Sequence, residues 1–250
     1  MKTNPSSSAI AELAPTGTLR VGINHSNFLL SQRDATTGAY RGIAIDIASE
    51  IAGRIGKSIA VVGFESPGQM ADAAQQDKWD IAFMGSEPAR ANVIAFSAAY
   101  LEIEAGYLVP AGSKIRANSE VDREGIRIAI MNKSAYDLYL TRNLQHATLV
   151  RAPSMTESLD LFLNEKLEVL AGLKPWLAGH LAKMPGSRML DERFTAIQQS
   201  IGTPQGRAEG ADFLRRFVEE AKADGFIAKL IACHSVQGVA VAPLANELGT

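Results

Sequence analysis

The sequence has little cysteine, no long apolar run and no surplus of positive charge. Its single cysteine, Cys233, excludes an internal disulfide and any cysteine-rich metal site, and we expect it to pack inertly in a late helix. The four histidines are scattered, without the spacing of a zinc site. We therefore expect neither a metal nor a cofactor.

Charge and hydropathy exclude two further classes of protein. A formal net charge of −2 and the lack of any lysine or arginine run argue against a nucleic-acid partner. No window approaches the roughly 18 apolar residues of a membrane span, so we expect no membrane insertion. The polar, serine-rich start lacks the apolar stretch of a secretory signal. The chain as given is therefore expected to be cytoplasmic. We also expect a monomer.

The first half of the chain shows strands alternating with helices. Residues 18–23, 58–64 and 80–84 predict strands. Between the first two, isoleucine recurs every four positions, which predicts an amphipathic helix: Ile43, Ile47, Ile51 and Ile55. Ser66 predicts the cap of a second helix, which we expect to reach Trp79.

The second half repeats this order. Residues 126–131, 148–151 and 167–173 predict strands, separated by helices that Ser134 and Ser154 cap. The segments QDKWDI and NEKLEV echo each other, each leading from a polar helix end through an acidic residue into a strand. Parallel strands need crossover helices of this length. The sequence therefore predicts an α/β protein of two lobes, each a mainly parallel sheet flanked by helices.

Two extended segments, 101–110 and 194–202, connect the halves and predict hinge strands. A helix is expected to start at Thr203 and Pro204. The predicted parts are lobe 1 at 17–108 and 200–235, lobe 2 at 112–194, hinges near 108–112 and 194–200, and peripheral tails at 1–16 and 236–250.

The strongest candidate binding segment follows the strand at 80–84. Gly85 and Ser86 break the strand, and Pro88 opens a short helix that carries Arg90. An open α/β sheet usually holds its ligand where a strand ends in small polar residues and feeds a helix. The planar guanidinium suits a carboxylate, which it can bind with two parallel hydrogen bonds. A surface arginine on a short helix is the alternative.

Several segments occur together in a characteristic order: GTLRVG at 17–22, YRGIAIDIA at 40–48, WDIAF at 79–83, PAR at 88–90 and FSAAY at 96–100. In this order the chain resembles the family 3 solute-binding proteins over about residues 17–232. These are type II periplasmic binding proteins that deliver polar amino acids to ABC transporters. The resemblance implies a periplasmic protein whose two hinged lobes close on a ligand in the cleft between them. It also implies that Arg90 clamps the ligand carboxylate.

The resemblance extends to the second lobe, with departures. Lys133 and Ser134 occupy a turn whose amides suit an anion, and Ser134 is either a ligand donor or only a helix cap. The family's usual acid for the ligand ammonium is absent, and Lys174 would repel an ammonium group. Glu87 either replaces that acid or starts its helix favourably. We therefore expect a carboxylate-bearing ligand without the usual ammonium, or with its cation placed differently.

Further cleft candidates follow from placement. Asn24, His25 and Phe28 follow the first strand, where the family has an aromatic residue over the ligand. Gln198 lies on the second connecting segment and offers an amide, and Trp176 is available for stacking. For His25, Phe28 and Trp176 a packing or surface role is the alternative.

Three functions compete on this sequence. The favoured one is solute binding without catalysis, with a small carboxylate as ligand and an ABC transporter permease as partner. A cyclohexadienyl-dehydratase-like enzyme would need a positioned acid or base, for which His25 and Glu87 are the candidates. A cytoplasmic ligand-sensing module is the third. Binding is favoured because the predicted site has a carboxylate clamp but no evident catalytic pair.

Overall fold

The computed structural model describes residues 2–245 and contains alternating strands and helices. The strands are β1 Leu19–Asn24, β2 Gln32–Arg33, β3 Tyr40–Arg41, β4 Ile59–Phe64, β5 Ile81–Gly85, β6 Ile94–Val109, β7 Arg127–Met131, β8 Thr148–Ala152, β9 Val169–Leu173, β10 Arg188–Met189, β11 Thr195–Pro204 and β12 Val239–Val241. The helices are α1 Ser7–Leu13, α2 Ile43–Ile55, α3 Pro67–Asp72, α4 Pro88–Ala91, α5 Ala135–Asn143, α6 Met155–Asn164, α7 Lys174–His180, α8 Ala208–Ala223 and α9 Phe226–Cys233. Within residues 2–245, none of these helices is long and apolar enough to cross a lipid bilayer.

The chain divides into two compact units. The first contains the residues up to Glu102 and those from Gln198 onward, and the second contains Ile103–Ile197. The strands β6 and β11 run from one unit into the other. The first boundary between the units, after Glu102, thus lies within β6 and before the expected hinge at 108–112. The predicted α/β fold of two units joined by two strands is confirmed.

The first unit is built on a sheet with the strand order β4-β1-β5-β11-β6. β4, β1 and β5 are parallel, and β11 runs antiparallel to β5. The helix α2 buries its isoleucine stripe, as the period of four predicts. It ends at Gly56, whose φ of 66° is a left-handed conformation that glycine adopts readily.

The second unit contains the parallel strands β8-β7-β9, with β6 antiparallel to β9 at one side. Its helices begin where serine was predicted to cap them. Ser134 Oγ accepts a hydrogen bond from Asp137 N at 3.0 Å, and Ser154 Oγ accepts one from Glu157 N at 3.1 Å. These bonds satisfy amides that have no partner inside the helix.

Two predicted helix boundaries were wrong. The helix expected to reach Trp79 ends as a 3₁₀ turn at Gln76, because Trp79 is fully buried and its indole donates to the Met70 carbonyl at 2.9 Å. The helix expected at Thr203 begins only at Ala208, since Thr203 and Pro204 still belong to β11.

The segments expected to be peripheral tails carry regular structure. α1 buries Ala9 and Leu13, and β12 pairs with β6. Residues 246–250, the end of the second predicted tail, lie outside the described residues. The expectation for Cys233 was also wrong, because this residue is exposed at the end of α9 while Ile227 and Leu230 face the core.

A fully buried carboxylate joins distant parts of the first unit. Asp80 receives the Arg20 guanidinium through Nε at 3.0 Å and Nη2 at 2.7 Å. It also accepts from the Arg20 amide at 2.9 Å and from Arg207 Nη1 at 2.8 Å. Charge-assisted bonds of this bidentate kind combine strength with fixed geometry. The carboxylate therefore links the starts of β1 and β5 to Arg207, the residue directly before α8.

The second unit repeats this arrangement, as the echo in the sequence indicates. Arg127 at the start of β7 donates to Glu168 through Nε at 3.0 Å and Nη2 at 2.9 Å. Each echo segment also contains one residue with a left-handed backbone ahead of its acid, with φ of 49° at Asp77 and 50° at Lys166. The two echo segments therefore perform the same task, which is to tie the first strand of a unit to the third.

Replacing the buried carboxylate should destabilise the protein. In Asp80→Asn two arginines keep their charge but lose their buried anion, and only the exposed carboxylate of Asp77 remains beside them. We therefore expect the free energy of unfolding to fall by about 3 kcal/mol. Urea denaturation followed by circular dichroism measures this change.

Asp212→Asn is the matched control. Asp212 pairs with Arg215 and Arg216 on the exposed side of α8, so we expect a change below about 0.5 kcal/mol. Equal unfolding energies for the two variants would contradict the role given to Asp80.

Candidate functional site

The turn after β5 holds most of the predicted carboxylate clamp. Gly85 is the last residue of β5, and Ser86 N donates to the Gln198 carbonyl at 2.8 Å. Glu87 then adopts an extended backbone before Pro88 starts α4. Because the turn is bonded to β11 through Gln198, its position is set by the sheet.

Arg90 is buried at this turn, with only 4% of its surface exposed. Its Nη1 donates to the Gly85 carbonyl at 2.7 Å. Burial lowers the pKa of Arg90 to about 10, although the nearby carboxylates of Glu87 and Asp72 act to raise it. The guanidinium is still charged at neutral pH, and an additional anion beside it would stabilise that charge.

Gln198 connects the turn to the carboxylate of Glu102, which also belongs to the first unit. Its carbonyl accepts from Ser86 N and, at 3.3 Å, from Ser86 Oγ. Its Nε2 donates to Glu102 Oε1 at 2.8 Å. The predicted amide of Gln198 thus lies next to the turn, and it positions an acidic residue that no local pattern of the sequence indicates.

The end of β1 carries the other predicted residues of the first unit. Asn24 Oδ1 accepts from Ser26 N at 3.0 Å and shapes the turn. His25 lies between two partners, with Nδ1 at 3.1 Å from Glu65 Oε1 and Nε2 at 2.8 Å from the Tyr40 hydroxyl. The His25 and Tyr40 rings stack with centroids 5.8 Å apart. The ring of His25 is therefore held in one orientation.

Phe28 is exposed, with 40% of its surface accessible. Together with His25 it lines a cavity of about 410 Å³, whose other lining residues are Ser31, Gln32, Arg33 and Tyr40. The structure thus places Phe28 outside the core, which is the arrangement that a ligand-covering aromatic requires.

Lys133 and Ser134 lie together at the start of α5 in the second unit. Ser134 is 2% exposed and caps the helix. Lys133 has a left-handed φ of 53°, and its amide donates to Asp137 Oδ2 at 2.8 Å. Asp137 also accepts from Arg151 Nε at 3.0 Å. A carboxylate of the chain itself therefore already uses part of the anion-binding capacity of this helix start.

Lys174 lies apart from these residues, at the start of α7. Its Nζ is 3.2 Å from Glu104 Oε2 and donates to the Asp191 carbonyl at 2.9 Å. A side chain on Gly106 would contact the Lys174 stem, since a Cβ there would lie 2.8 Å from Lys174 Cγ. The second unit therefore anchors Lys174 in an ion pair of its own.

Trp176 follows Lys174 on the same helix. It is 7% exposed and packs against the His180 ring with centroids 4.3 Å apart. Of the two roles left open for Trp176, the packing role is the one that the structure shows.

The structure brings the first-unit candidates to one edge of the sheet, because adjacent parallel strands end on the same side. β1 and β5 pair in parallel, so the residues after them share this edge. The residues are Asn24, His25, Phe28, Gly85, Ser86, Glu87, Arg90 and Gln198. The candidates Lys133, Ser134 and Lys174 lie in the second unit, and their role in binding stays a prediction.

Sequence reasoning missed Glu65, Tyr40 and Glu102. A signal existed for Glu65, since it directly follows β4, which pairs with β1 so that Phe64 lies opposite Asn24. Tyr40 belongs to the small hairpin of β2 and β3, which no hydrophobic period predicts. Glu102 interrupts an apolar strand, and its partner lies on β11, so no local pattern indicates it.

Comparison with known proteins identifies the family. The bacterial extracellular solute-binding proteins, family 3, match residues 19–234, and the chain belongs to this family. The resemblance found in the sequence is thereby confirmed, and with it the solute-binding class. No curated protein matches the sequence.

Solved structures share the fold at low sequence identity. One is an amino acid ABC transporter substrate-binding protein from Streptococcus pneumoniae bound to L-arginine, with a TM-score of 0.72, 17% identity and coverage of 88% of this chain and 95% of that one. A cysteine-binding protein from Campylobacter jejuni has a TM-score of 0.73 and 19% identity and covers 92% of both chains.

A third solved structure is an ancestral amino acid-binding protein described as a precursor of cyclohexadienyl dehydratase. It has a TM-score of 0.73 and 22% identity, with coverage of 91% of this chain and 99% of that one. At such identities these structures establish the fold, and the ligand must be argued from the residues of this chain.

The orientation of His25 depends on a glycine opposite it. A Cβ on Gly63 would overlap the His25 ring and would lie 2.9 Å from the Tyr40 hydroxyl. Gly63→Ala should therefore displace the ring, change its nitrogen-15 resonances and lower the unfolding free energy by about 1–3 kcal/mol. Nitrogen-15 NMR of the histidine rings, assigned with His25→Gln, measures the displacement.

Gly53→Ala serves as the control, because a Cβ on this α2 residue meets open space. It should leave the ring resonances unchanged and increase stability by up to about 1 kcal/mol. Unaltered His25 resonances in Gly63→Ala would show that the ring is not held as described.

Proposed function

We propose that this protein binds a small carboxylate-bearing solute at Arg90 and delivers it unchanged to an ABC transporter. The observation that carries this proposal is the buried guanidinium at the carboxyl end of β5. Because one of its nitrogens is held by the Gly85 carbonyl, its orientation is set before a ligand arrives. Such preorganisation reduces the entropy lost on binding.

The charge of Arg90 explains why the ligand should be anionic. Burial outweighs the two nearby carboxylates and lowers the pKa of this group. A ligand carboxylate would raise the pKa of Arg90 again, because a negative charge beside the guanidinium stabilises its charged form. The carboxylate of the ligand therefore contributes a large share of the binding free energy.

The start of α5 is the competing place for the carboxylate, and it is less suitable. Asp137 already accepts from the Lys133 amide and from the Arg151 guanidinium there. A second anion would be repelled by this carboxylate. We therefore assign the ligand carboxylate to Arg90 and give Lys133 and Ser134 a supporting role.

Related proteins support this chemistry. The Streptococcus pneumoniae protein is bound to L-arginine, and the Campylobacter jejuni protein is a cysteine-binding protein. Both ligands carry a carboxylate, whereas their side chains differ. The family is described as extracellular, and we infer that this protein also works outside the cytoplasm.

We further propose that binding occurs without chemical conversion, because the family consists of binding proteins. Incubation of the protein with prephenate or arogenate, followed by NMR of the small molecule, tests this point. We expect the compound to be recovered unchanged. Turnover would show that the protein is an enzyme.

The clamp is tested by replacing Arg90. In a thermal-shift screen of small carboxylates, amino acids and amines, a ligand at hundredfold excess over its Kd should stabilise the wild type by about 2.7 kcal/mol. By calorimetry, Arg90→Gln should weaken binding of the carboxylate by about 100-fold, and Arg90→Lys by about tenfold, because lysine lacks the planar fork.

Arg216→Gln is the matched control, since Arg216 lies on the surface of α8 and pairs with Asp212. It should bind like the wild type. Urea denaturation of the Arg90 variants confirms that they are folded. A carboxylate that binds Arg90→Gln as tightly as the wild type would rule out the clamp.

A further inference from the structure

Another cavity of the first unit lies between the loop after β1 and the end of α9. Residues 28–32 and 41–42 line it from the loop and its hairpin, and Cys233, His234 and Val236 line it from the helix end. Its volume of about 260 Å³ accommodates a small organic molecule, since one water of the liquid takes about 30 Å³. Arg90 is not among its lining residues, so this cavity is separate from the proposed carboxylate site.

Both walls of this cavity are bonded to α2. On the helix side, His234 Nε2 lies 2.7 Å from Asp46 Oδ2. On the loop side, the Leu30 carbonyl accepts from Ala44 N at 3.0 Å. A Cβ on Gly42 would lie 2.6 Å from that carbonyl, so the chain passes here at a distance that suits glycine. The shape of the cavity is therefore set by the packing of α2.

Ser31 contributes a hydroxyl to this cavity. Only 6% of its surface is exposed, and it lines both this cavity and the one beside His25. Within residues 2–245 the Ser31 hydroxyl has no hydrogen-bond partner. A buried hydroxyl in this state gains free energy when a ligand supplies the missing hydrogen bond. Ser31 therefore indicates that the cavity accepts a polar molecule.

Arg41 adds a positive charge to the same cavity. Its Nη2 donates to Gln32 Oε1 at 3.1 Å, which belongs to a neutral amide. Asp34 on the same hairpin interacts with the charge of Arg41, but the Asp34 carboxylate accepts from Thr36 N at 2.9 Å and from Thr37 N at 2.7 Å. In the part of the chain that the structure describes, no carboxylate forms an ion pair with Arg41. The guanidinium is thus available to an anion in the cavity.

Cys233 brings a reactive group to this cavity. It is exposed at the last position of α9 and is one of the lining residues. Because it is the single cysteine of the sequence, its own chain offers no second thiol with which it could pair. A thiolate attacks a disulfide at sulfur, at a rate that depends on access to the thiol. A disulfide bound in the cavity would therefore lie beside this thiol.

We propose that Cys233 is a modification site, at which the cavity binds a small disulfide that carries a carboxylate and the thiol takes up one half of it. Arg41 pairs with the carboxylate, and the Ser31 hydroxyl donates a hydrogen bond to the same molecule. Cys233 loses its proton to solvent, its sulfur forms a bond to one sulfur of the reagent, and the sulfur–sulfur bond of the reagent breaks. The second half leaves as a thiolate and takes up a proton, so that no other oxidant is needed.

Two small disulfides of opposite charge test this site. We would follow modification by intact-protein mass spectrometry with dithiodipropionate, which carries two carboxylates, and with cystamine, which carries two ammonium groups. Each rate constant is divided by that of the urea-unfolded chain, which removes the intrinsic reactivity of the reagent. The folded protein should then prefer dithiodipropionate by about tenfold or more. The rate should also reach a plateau as the concentration of dithiodipropionate rises, because the reagent binds before it reacts.

Variants identify the groups that hold the reagent. Arg41→Gln should remove the charge preference, and Ser31→Ala should lower the rate with dithiodipropionate by about threefold or more. Arg216→Gln is the matched control, since it removes the same charge from the exposed side of α8, and it should react like the wild type. Urea denaturation confirms that the variants are folded.

Two results would overturn the proposal. One is a folded wild type without charge preference, whose rate stays proportional to the reagent concentration, because Cys233 would then be an ordinary exposed thiol. The other is a preference that persists in Arg41→Gln. A disulfide between two copies of the chain as the main product would also count against the cavity as the binding site.

Discussion

The first unit depends on the ion pairs that the fully buried carboxylate of Asp80 forms. This carboxylate joins Arg20 at the start of β1 and Arg207 at the start of α8, which belong to chain segments far apart in the sequence. Because the bond to Arg20 uses both side chain and backbone, it also sets β1 against β5. Because β1 and β5 are aligned with each other where they begin, the positions at which they end on the opposite edge of the sheet are also set.

The opposite edge of the sheet carries the candidate binding residues of the first unit. A buried guanidinium such as Arg90 is costly, since burial removes it from water. In the proposed function this cost is offset when the carboxylate of the ligand binds beside the guanidinium. One edge of the sheet thus carries the ion pairs of Asp80, and the opposite edge carries the proposed binding residues.

Local features of the fold could be predicted from the sequence, and features that depend on distant contacts could not. The serine caps at Ser134 and Ser154 were found because a cap bonds to an amide three residues away. The end of the helix before Trp79 was missed because burial of the indole against Met70 overrides the helical pattern. Similarly, Arg90 was recognisable from its place after a strand, whereas the partners of His25 come from β3 and from the end of β4.

The sequence by itself determined the alternation of strands and helices, the duplicated order of the two halves and the place of an arginine after the third strand. These are properties of residues close together in the chain, where periodicity and capping act. Only the tertiary structure decided which charges are paired: Asp80 and Glu104 are balanced by cations, and Glu102 is held by an amide. Pairing depends on which strands lie side by side, and this is set by packing of the whole unit.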